Sequence, residues 1–481
     1  MTFADTLSWI VPELMLAVGA MMLLIAGVFL GEASSRLIST LSCLLLVAAL
    51  FVVVIAYGGA PAQVLFDGAF RIDAYAGFAK TLILAAATLA ILMSVKHPAG
   101  EQLGRFEFPV LIVLAALGMM MMVSVNDLIA LYMGVETQSL ALYILAAFNR
   151  DSRRSTEAGL KYFVLGALSS CLLLYGASLI YGFSGSTNFD AIAESAAVAR
   201  ENVGLVIGLV FLIAGLAFKV SAAPSHMWMP DVYEGAPTPV TAFFAAAPKL
   251  AAMALFTRAM IGPFPEILEQ WRPIIAILSV ASMTVGAFSA IVQTNIKRLM
   301  AYSSIGHMGF ALIGLAAGTA QGVGSVLIYM AIYIAMTIGA FACILLMRRR
   351  GGMTEAIDDL SGLTRTNPGL AIILTILFFS LAGVPPTAGF FGKLFVFQAA
   401  VEADLLWLAI VGAVMSVISA YYYLRVIWLM WFNDPAPAFE REVGSRLGVT
   451  AFGSAALMFP VLLILMGPLI AAARNAAAAL F

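Results

Sequence analysis

The chain has 481 residues, 63% of them hydrophobic and 11% charged, with a mean hydropathy of +1.02 and a formal net charge of −1. Soluble domains run near half apolar and a quarter charged, so this composition excludes a soluble enzyme and implies a polytopic membrane protein with little soluble mass. Near-neutral charge and the lack of a basic patch with interleaved aromatics give no sign of a nucleic-acid partner.

The N-terminus, "MTFADTLSWIVPELML", carries no Lys or Arg before its first apolar run, so that run reads as a retained span and not as a cleaved signal peptide. A hydrocarbon core about 30 Å thick takes roughly 20 apolar residues per helix. By that measure fourteen spans follow in order, near 7–30, 37–57, 72–95, 106–125, 127–147, 156–182, 203–223, 238–262, 273–293, 301–317, 322–348, 368–400, 404–432 and 447–472. The expected fold class is therefore an all-α polytopic membrane protein. Cys43, Cys171 and Cys343 fall far apart inside apolar runs and read as small buried hydrophobes.

Loops after odd-numbered spans carry Arg36, Lys96, Arg105, Arg150, Arg153, Arg154, Lys297, Arg298, Arg348, Arg349, Arg350, Arg365, Arg441 and Arg446. Loops after even-numbered spans, with the tails, carry only Arg71, Arg200, Arg258, Arg272 and Arg474. The positive-inside rule then places the odd loops in the cytoplasm and both termini outside.

Spans seven and twelve are interrupted, at "SAAPSHMWMPD" and "LAGVPPTAGFFGK". One runs inward and the other outward, so five-span units beginning at spans four and nine would be inverted copies. The expected division is 1–105 as three N-terminal helices, 106–262 and 273–432 as the two inverted units, and 447–481 as a C-terminal helix. Unwound backbone is tolerated at membrane depth only where protein or a water-filled cavity satisfies it, and paired broken helices point to a transport site.

Five of the seven lysines fall within apolar spans: Lys80, Lys161, Lys219, Lys249 and Lys393. The arginines are mostly in loops, with Arg425 the main exception near the inner end of span thirteen, where snorkelling explains it. Arginine stays protonated under all ordinary conditions, whereas a desolvated lysine can exchange protons near neutrality. An ionised residue at the bilayer centre costs at least about 2.5 kcal/mol, so an idle one is hard to explain. One carboxylate sits well inside a span, Glu136 in "NDLIALYMGVETQSLALYIL". It is roughly 14 Å into its helix, and Lys161 or Lys219 is its expected partner. Such a pair is either a switch that sets the lysine's charge or a brace between helices. Lys161 lies near the cytoplasmic end of its span and can snorkel, and Lys80 has no acid near it beyond Asp73. His97 is a loop residue, while His226 and His307 are either proton relays or hydrogen-bonded packing residues. No phosphate-binding loop, dinucleotide fingerprint, paired Cys ligands or haem-type His pairing occurs, so the energy comes from an ion gradient or another subunit.

The run "HMWMPDVYEGAPTPVTAFFAAAPKL", residues 226–250, resembles the antiporter-like membrane subunits of proton-pumping NADH:quinone oxidoreductase, respiratory complex I. Those subunits are similar in turn to the large subunits of multisubunit sodium/proton antiporters. The resemblance covers roughly residues 106–430. It implies that Glu136, Lys161, Lys219, Lys249 and Lys393 translocate protons, with His226 and His307 at weaker positions. It implies two water-accessible half-channels joined by a line of lysines, in a subunit of the bacterial cytoplasmic membrane. It also implies no cofactor in this chain, with NAD, FMN, iron–sulfur clusters and quinone in partner subunits. Those partners would be the other membrane subunits and, through them, the hydrophilic arm, with lipid around the rest. A gradient-driven cation/proton antiporter subunit and a structural membrane spacer are the rival readings.

Overall fold

In lipid, every backbone N–H and C=O must be paired within its own segment, which makes long apolar runs helical. The computed structural model describes residues 3–57, 62–94, 104–198, 202–349, 352–440 and 446–481, giving only the backbone of residues 3–5. Lys96, His97, Arg200, Arg350 and Arg441 lie outside the described residues.

The chain opens with α1 (Phe3–Trp9), α2 (Val11–Leu30), α3 (Ser35–Tyr57) and α4 (Ala74–Ser94). Then come α5 (Glu107–Ser124), α6 (Leu128–Ala146), α7 (Arg153–Ser184) and the short α8 (Phe189–Val198). The middle holds α9 (Val203–Val220), α10 (Trp228–Gly235), α11 (Thr238–Ala245) and α12 (Ala247–Ile261). Next are α13 (Leu268–Ile291), α14 (Ile296–Ala317), α15 (Ala320–Leu345) and the one-turn α16 (Leu363–Thr366). The last elements are α17 (Pro368–Ala382), α18 (Ala388–Glu402), α19 (Leu406–Phe432), α20 (Arg446–Ala456) and α21 (Leu462–Ala478). Two hairpins of short antiparallel strands, β1 (Gln63–Leu65) with β2 (Phe70–Ile72) and β3 (Arg348–Arg349) with β4 (Gly352–Met353), sit in loops.

Among the described residues, thirteen helical stretches are long and apolar enough to cross a bilayer. The fourteenth expected span is the interrupted pair α17 and α18. The all-α membrane fold is thus the one the composition requires, with both expected interruptions present. A third interruption was not expected. Span eight is two helices, α11 and α12, parted at Ala246, whose φ of −111° and ψ of −89° are not helical. Pro248 in the first turn of α12 has no N–H to continue the helical ladder through this point.

The chain forms two compact units, Met1–Val220 with Ala247–Ile274 and Ala472–Phe481, and Ser221–Ala246 with Ile275–Ala471. In the first, α12 packs on α4, α5 and α9, and the face of α2 and α3 turned away from the fold is apolar, with Phe29 and Phe51 exposed. In the second, α14 and α15 are almost wholly buried and pack against each other and α18. Large apolar side chains exposed on outer helices are what lipid asks of a surface.

Candidate functional site: buried lysines at interrupted helices

In the first unit, the side chain of Asp127 caps α6, accepting from the N–H groups of Ile129 at 2.7 Å and Ala130 at 3.1 Å. Glu136 is the ninth of nineteen residues in that helix, at mid-depth. Its carboxylate accepts a short hydrogen bond from the hydroxyl of Ser170 on α7. One turn further along α6, Ser139 Oγ accepts from Lys219 Nζ at 2.9 Å. Lys219 is buried in the last turn of α9, next to Val220. The carbonyl of Val220, the last residue of α9, in turn accepts from Lys249 Nζ at 3.2 Å, and Lys249 is itself buried in the first turn of α12. The buried Ser139, Lys219 and Lys249 therefore stand close together at the end of α9, with the half-buried Glu136 one turn before Ser139 on α6.

The expected direct pairing of Glu136 with a lysine takes another form. Lys219 reaches the serine one turn past the acid, not the acid itself. Lys161 forms an ion pair with Glu157 one turn earlier on α7, Nζ to Oε1 2.8 Å, with its side chain 42% exposed. A flexible lysine at a part-exposed position takes the nearest acid on its own helix.

In the second unit, α17 ends in a left-handed turn at Gly383, φ 84°, where the N–H of Gly383 reaches Ser380 O at 3.0 Å and that of Val384 reaches Phe379 O at 2.9 Å. Only a residue without Cβ takes that conformation cheaply, which explains the glycine. Lys393, buried on α18, donates to the carbonyl of Ala382 at 2.8 Å and to Ser416 Oγ at 2.9 Å. Its ammonium also lies 4.7 Å from the centre of the Phe310 ring. In each unit, then, a lysine from another helix caps the C-terminal end of an interrupted one, where the helix dipole is negative.

His307 is buried on α14, with Nδ1 2.6 Å from Tyr329 Oη and Nε2 3.2 Å from Tyr423 Oη. His226 lies half-buried in the turn 221–227 that separates α9 from α10. That turn starts at Ser221, whose φ of 61° is left-handed, and is held by Ala223 N–H donating to Ser282 Oγ at 2.8 Å.

Several charged residues stand where loop counting did not put them. Lys297, assigned to a loop, is buried at the start of α14 and donates to Glu234 O at 2.9 Å, Ala236 O at 2.8 Å and Glu355 Oε1 at 3.1 Å. Beside it, Arg298 binds Asp231 at 2.8 Å and Glu234 at 2.9 Å. Both clamp α10, the helix spelled by "DVYEG". Arg258, also assigned to a loop, is buried on α12 and gripped by both carboxylate oxygens of Asp73, at 2.7 and 2.9 Å. Lys80 has an acid after all: Glu13 of α2, 2.6 Å away. The signal for these pairs was thin, because each joins positions far apart in sequence. Arg425, by contrast, donates to the carbonyls of Ile291 at 2.6 Å and Gln293 at 2.7 Å, at the end of α13. Among the described residues, no group of three or more His, Cys, Asp or Glu side chains is placed to hold a metal ion, and the three cysteines form no disulfide; only Cys343 is buried as expected, Cys43 being half-buried and Cys171 exposed on an outward helix face.

Buried lysines bonded to hydroxyls and helix-end carbonyls at interrupted helices are the kind of arrangement that ion-translocating membrane proteins build. The chain belongs to the family described as NADH:quinone oxidoreductase/Mrp antiporter, TM, which matches residues 125–419, and within it to the relatives called NADH-quinone oxidoreductase subunit N. It is 56% identical over 481 residues to subunit N 1 of Rhizobium meliloti, covering 100% of this chain and 99% of the relative. It is 53% identical over 477 residues to subunit N of Paramagnetospirillum magneticum, covering 98% and 97%. A chain in the respiratory complex I of Thermus thermophilus with bound aureothin superposes with a TM-score of 0.83 at 31% identity, covering 96% of this chain and 99% of that one.

Proposed function

We propose that this chain is the proton-translocating membrane subunit N of a bacterial NADH:quinone oxidoreductase. The observation that carries the reading is the pair of buried lysines at the end of α9, Lys219 on Ser139 and Lys249 on the Val220 carbonyl, with Glu136 one turn from Ser139. Glu136 sets the charge state of Lys219, Lys249 passes the proton on, and Lys393 controls an exit in the second unit. Lys161, paired with Glu157 near the cytoplasmic end of its span, has a lesser part in the path, and His226 and His307 relay protons in the second unit. The breaks beside Lys219, Lys249 and Lys393 let water reach each lysine, since unwound backbone at that depth must be satisfied by protein or water.

The identity of over half to relatives named as subunits of NADH-quinone oxidoreductase supports the other membrane subunits of that complex, and through them its hydrophilic arm, as partners. NAD, FMN, iron–sulfur clusters and quinone then belong to those partners, and the redox chemistry supplies the energy. The cytoplasmic membrane is the compartment, with lipid around the outer helices and both termini on the periplasmic side, as the loop charges favour. The units 106–262 and 273–432 are taken as inverted copies, preceded by three helices in 1–105 and followed by one in 447–481.

The test is Lys219→Ala in the native membrane. NADH-driven acidification of inverted vesicles, NADH oxidation and the amount of assembled complex are followed together. Normal assembly with a steep loss of pumping and slowed oxidation is the expected result. Normal values of all three make the lysines scaffolding, and exchange driven by sodium or potassium without NADH makes the chain an antiporter subunit.

A further inference from the structure

In the first unit, α2 and α4 each pack on α5, and a cavity of about 280 Å³ lies against all three near the start of α2. Leu14 and Ala17 of α2 and Leu117 and Met121 of α5 wall it, while Phe66 and Phe70 of the β1–β2 hairpin cover it. At its floor stands the Lys80–Glu13 pair, with Lys80 fully buried and the Glu13 side chain 13% exposed. The Tyr57 ring closes another side of Lys80, 4.9 Å from Nζ. Glu13 Oε2 is buried without a hydrogen-bond partner among the described residues. The hairpin turn is held in a form its sequence does not favour. Phe66 takes a left-handed φ of 53°, uncommon for a bulky side chain. The side-chain amides of Asn126 and Asn188 pin the turn by donating to Gly68 O at 3.0 and 2.9 Å. Strain held in this way keeps the Phe66 ring edge-on to Phe70, 6.0 Å between centres, at the mouth of the cavity.

We propose that this cavity holds one acyl chain of a membrane lipid, which enters past Leu14 and Phe66 and covers the Lys80–Glu13 pair. Both entrance residues are exposed, and Leu14 continues the apolar outer face of α2 through Val18, Met21 and Met22. The mouth therefore opens onto lipid and not onto water. An apolar cavity of about 150 Å³ stays dry and takes a benzene, so one nearly twice that size accepts the end of a chain. A polar headgroup does not fit, because it would lose its hydrogen bonds against apolar walls. Left empty, the lining forfeits its van der Waals contacts on that side. Filled with water, the ion pair is screened and loosened. A hydrocarbon chain avoids both costs. Bulk lipid is as apolar as the cavity, so shape and close contact select the chain, not the hydrophobic effect. Its work is to keep the bridge from α2 to α4 dry. Neither Glu13 nor Lys80 stands on the proton path proposed above.

The test places the whole complex in phosphatidylethanolamine vesicles containing an analogue with a diazirine on its acyl chain. After irradiation, the labelled residues are read by mass spectrometry. Label is expected on the half-buried Leu117 or Met121, as well as on Phe51 of the open lipid face. Ala17→Phe plugs the cavity with a ring. Label at Leu117 and Met121 should then fall roughly tenfold or more, a loss of about 1.4 kcal/mol of affinity. Label at Phe51 and NADH-driven pumping should stay at the parental level. Stripping lipid with detergent should lower the thermal midpoint of the parent more than that of Ala17→Phe, which carries its own plug. Absence of label from Leu117 and Met121 in the parent overturns the proposal, whether another subunit covers the mouth or water fills the cavity. Equal label in the parent and Ala17→Phe overturns it as well. Should Ala17→Phe fail to assemble, Ala17→Leu is measured in its place with the same outcomes.

Discussion

Lys393 donates to the main-chain carbonyl of Ala382 over 2.8 Å, from one half of a broken helix to the end of the other. Lys249, from the neighbouring span, likewise caps the end of α9 at the Val220 carbonyl over 3.2 Å. An ammonium capping a helix end is stabilised by the dipole while charged, and its bond to the carbonyl loses that charge assistance when the proton leaves. The capping bond thereby couples the state of the helix end to the state of the lysine.

Lys393→Arg separates charge from titration. The guanidinium can still cap Ala382 but does not give up its proton. The complex should assemble, while pumping and coupled NADH oxidation fall about tenfold or more. Parental pumping in this variant would show that the position needs only a fixed charge.

Lys161 and Lys219 should differ in weight. Exposed pairs such as Lys161–Glu157 contribute about 0.2–1 kcal/mol. Lys161→Ala is expected to leave at least half of the pumping rate, whereas Lys219→Ala leaves little. Equal losses, measured in the same vesicles, would place both lysines on the same step.

The Lys80–Glu13 pair should govern assembly and not pumping. Lys80 is fully buried, so Lys80→Ala leaves the Glu13 carboxylate without its cation, at a cost of about 3–5 kcal/mol. The thermal midpoint of the complex should drop, with the ratio of protons pumped to NADH oxidised unchanged in what assembles. Adding Glu13→Gln should restore part of the loss; a lowered pumping ratio would instead put the pair on the proton path.

Lys297→Ala tests the clamp on α10. Two carbonyls and Glu355 lose their buried partner, each at about 1–3 kcal/mol. Less assembled complex and a lower thermal midpoint are expected, with a smaller effect from Lys297→Arg. Unchanged stability in Lys297→Ala would mean that Arg298 alone holds the helix.

The membrane fold, both expected breaks and the depth of Glu136 were legible because each rests on local signals: hydropathy, proline and glycine, and the rise of a helix. Partners were not. Glu13 and Lys80 stand 67 positions apart, and Asp73 and Arg258 185. Arg258 and Lys297 looked like loop residues because an apolar run ends beside them, yet tertiary packing buries both. The break at Ala246 was hidden in an alanine-rich stretch, "AFFAAAPKL", with Pro248 its one clue. Ser139 and Ser170 went unnoticed because serine is common in helices and only the fold aims these two at Lys219 and Glu136.

The two compact units do not follow the order of the chain, which passes between them at 220/221, 246/247, 274/275 and 471/472. The first unit takes its closing segment from residues 472–481. A ribosome must therefore release nearly the whole polypeptide before that unit has all its parts. A chain interrupted before residue 471 thus leaves both units lacking a segment.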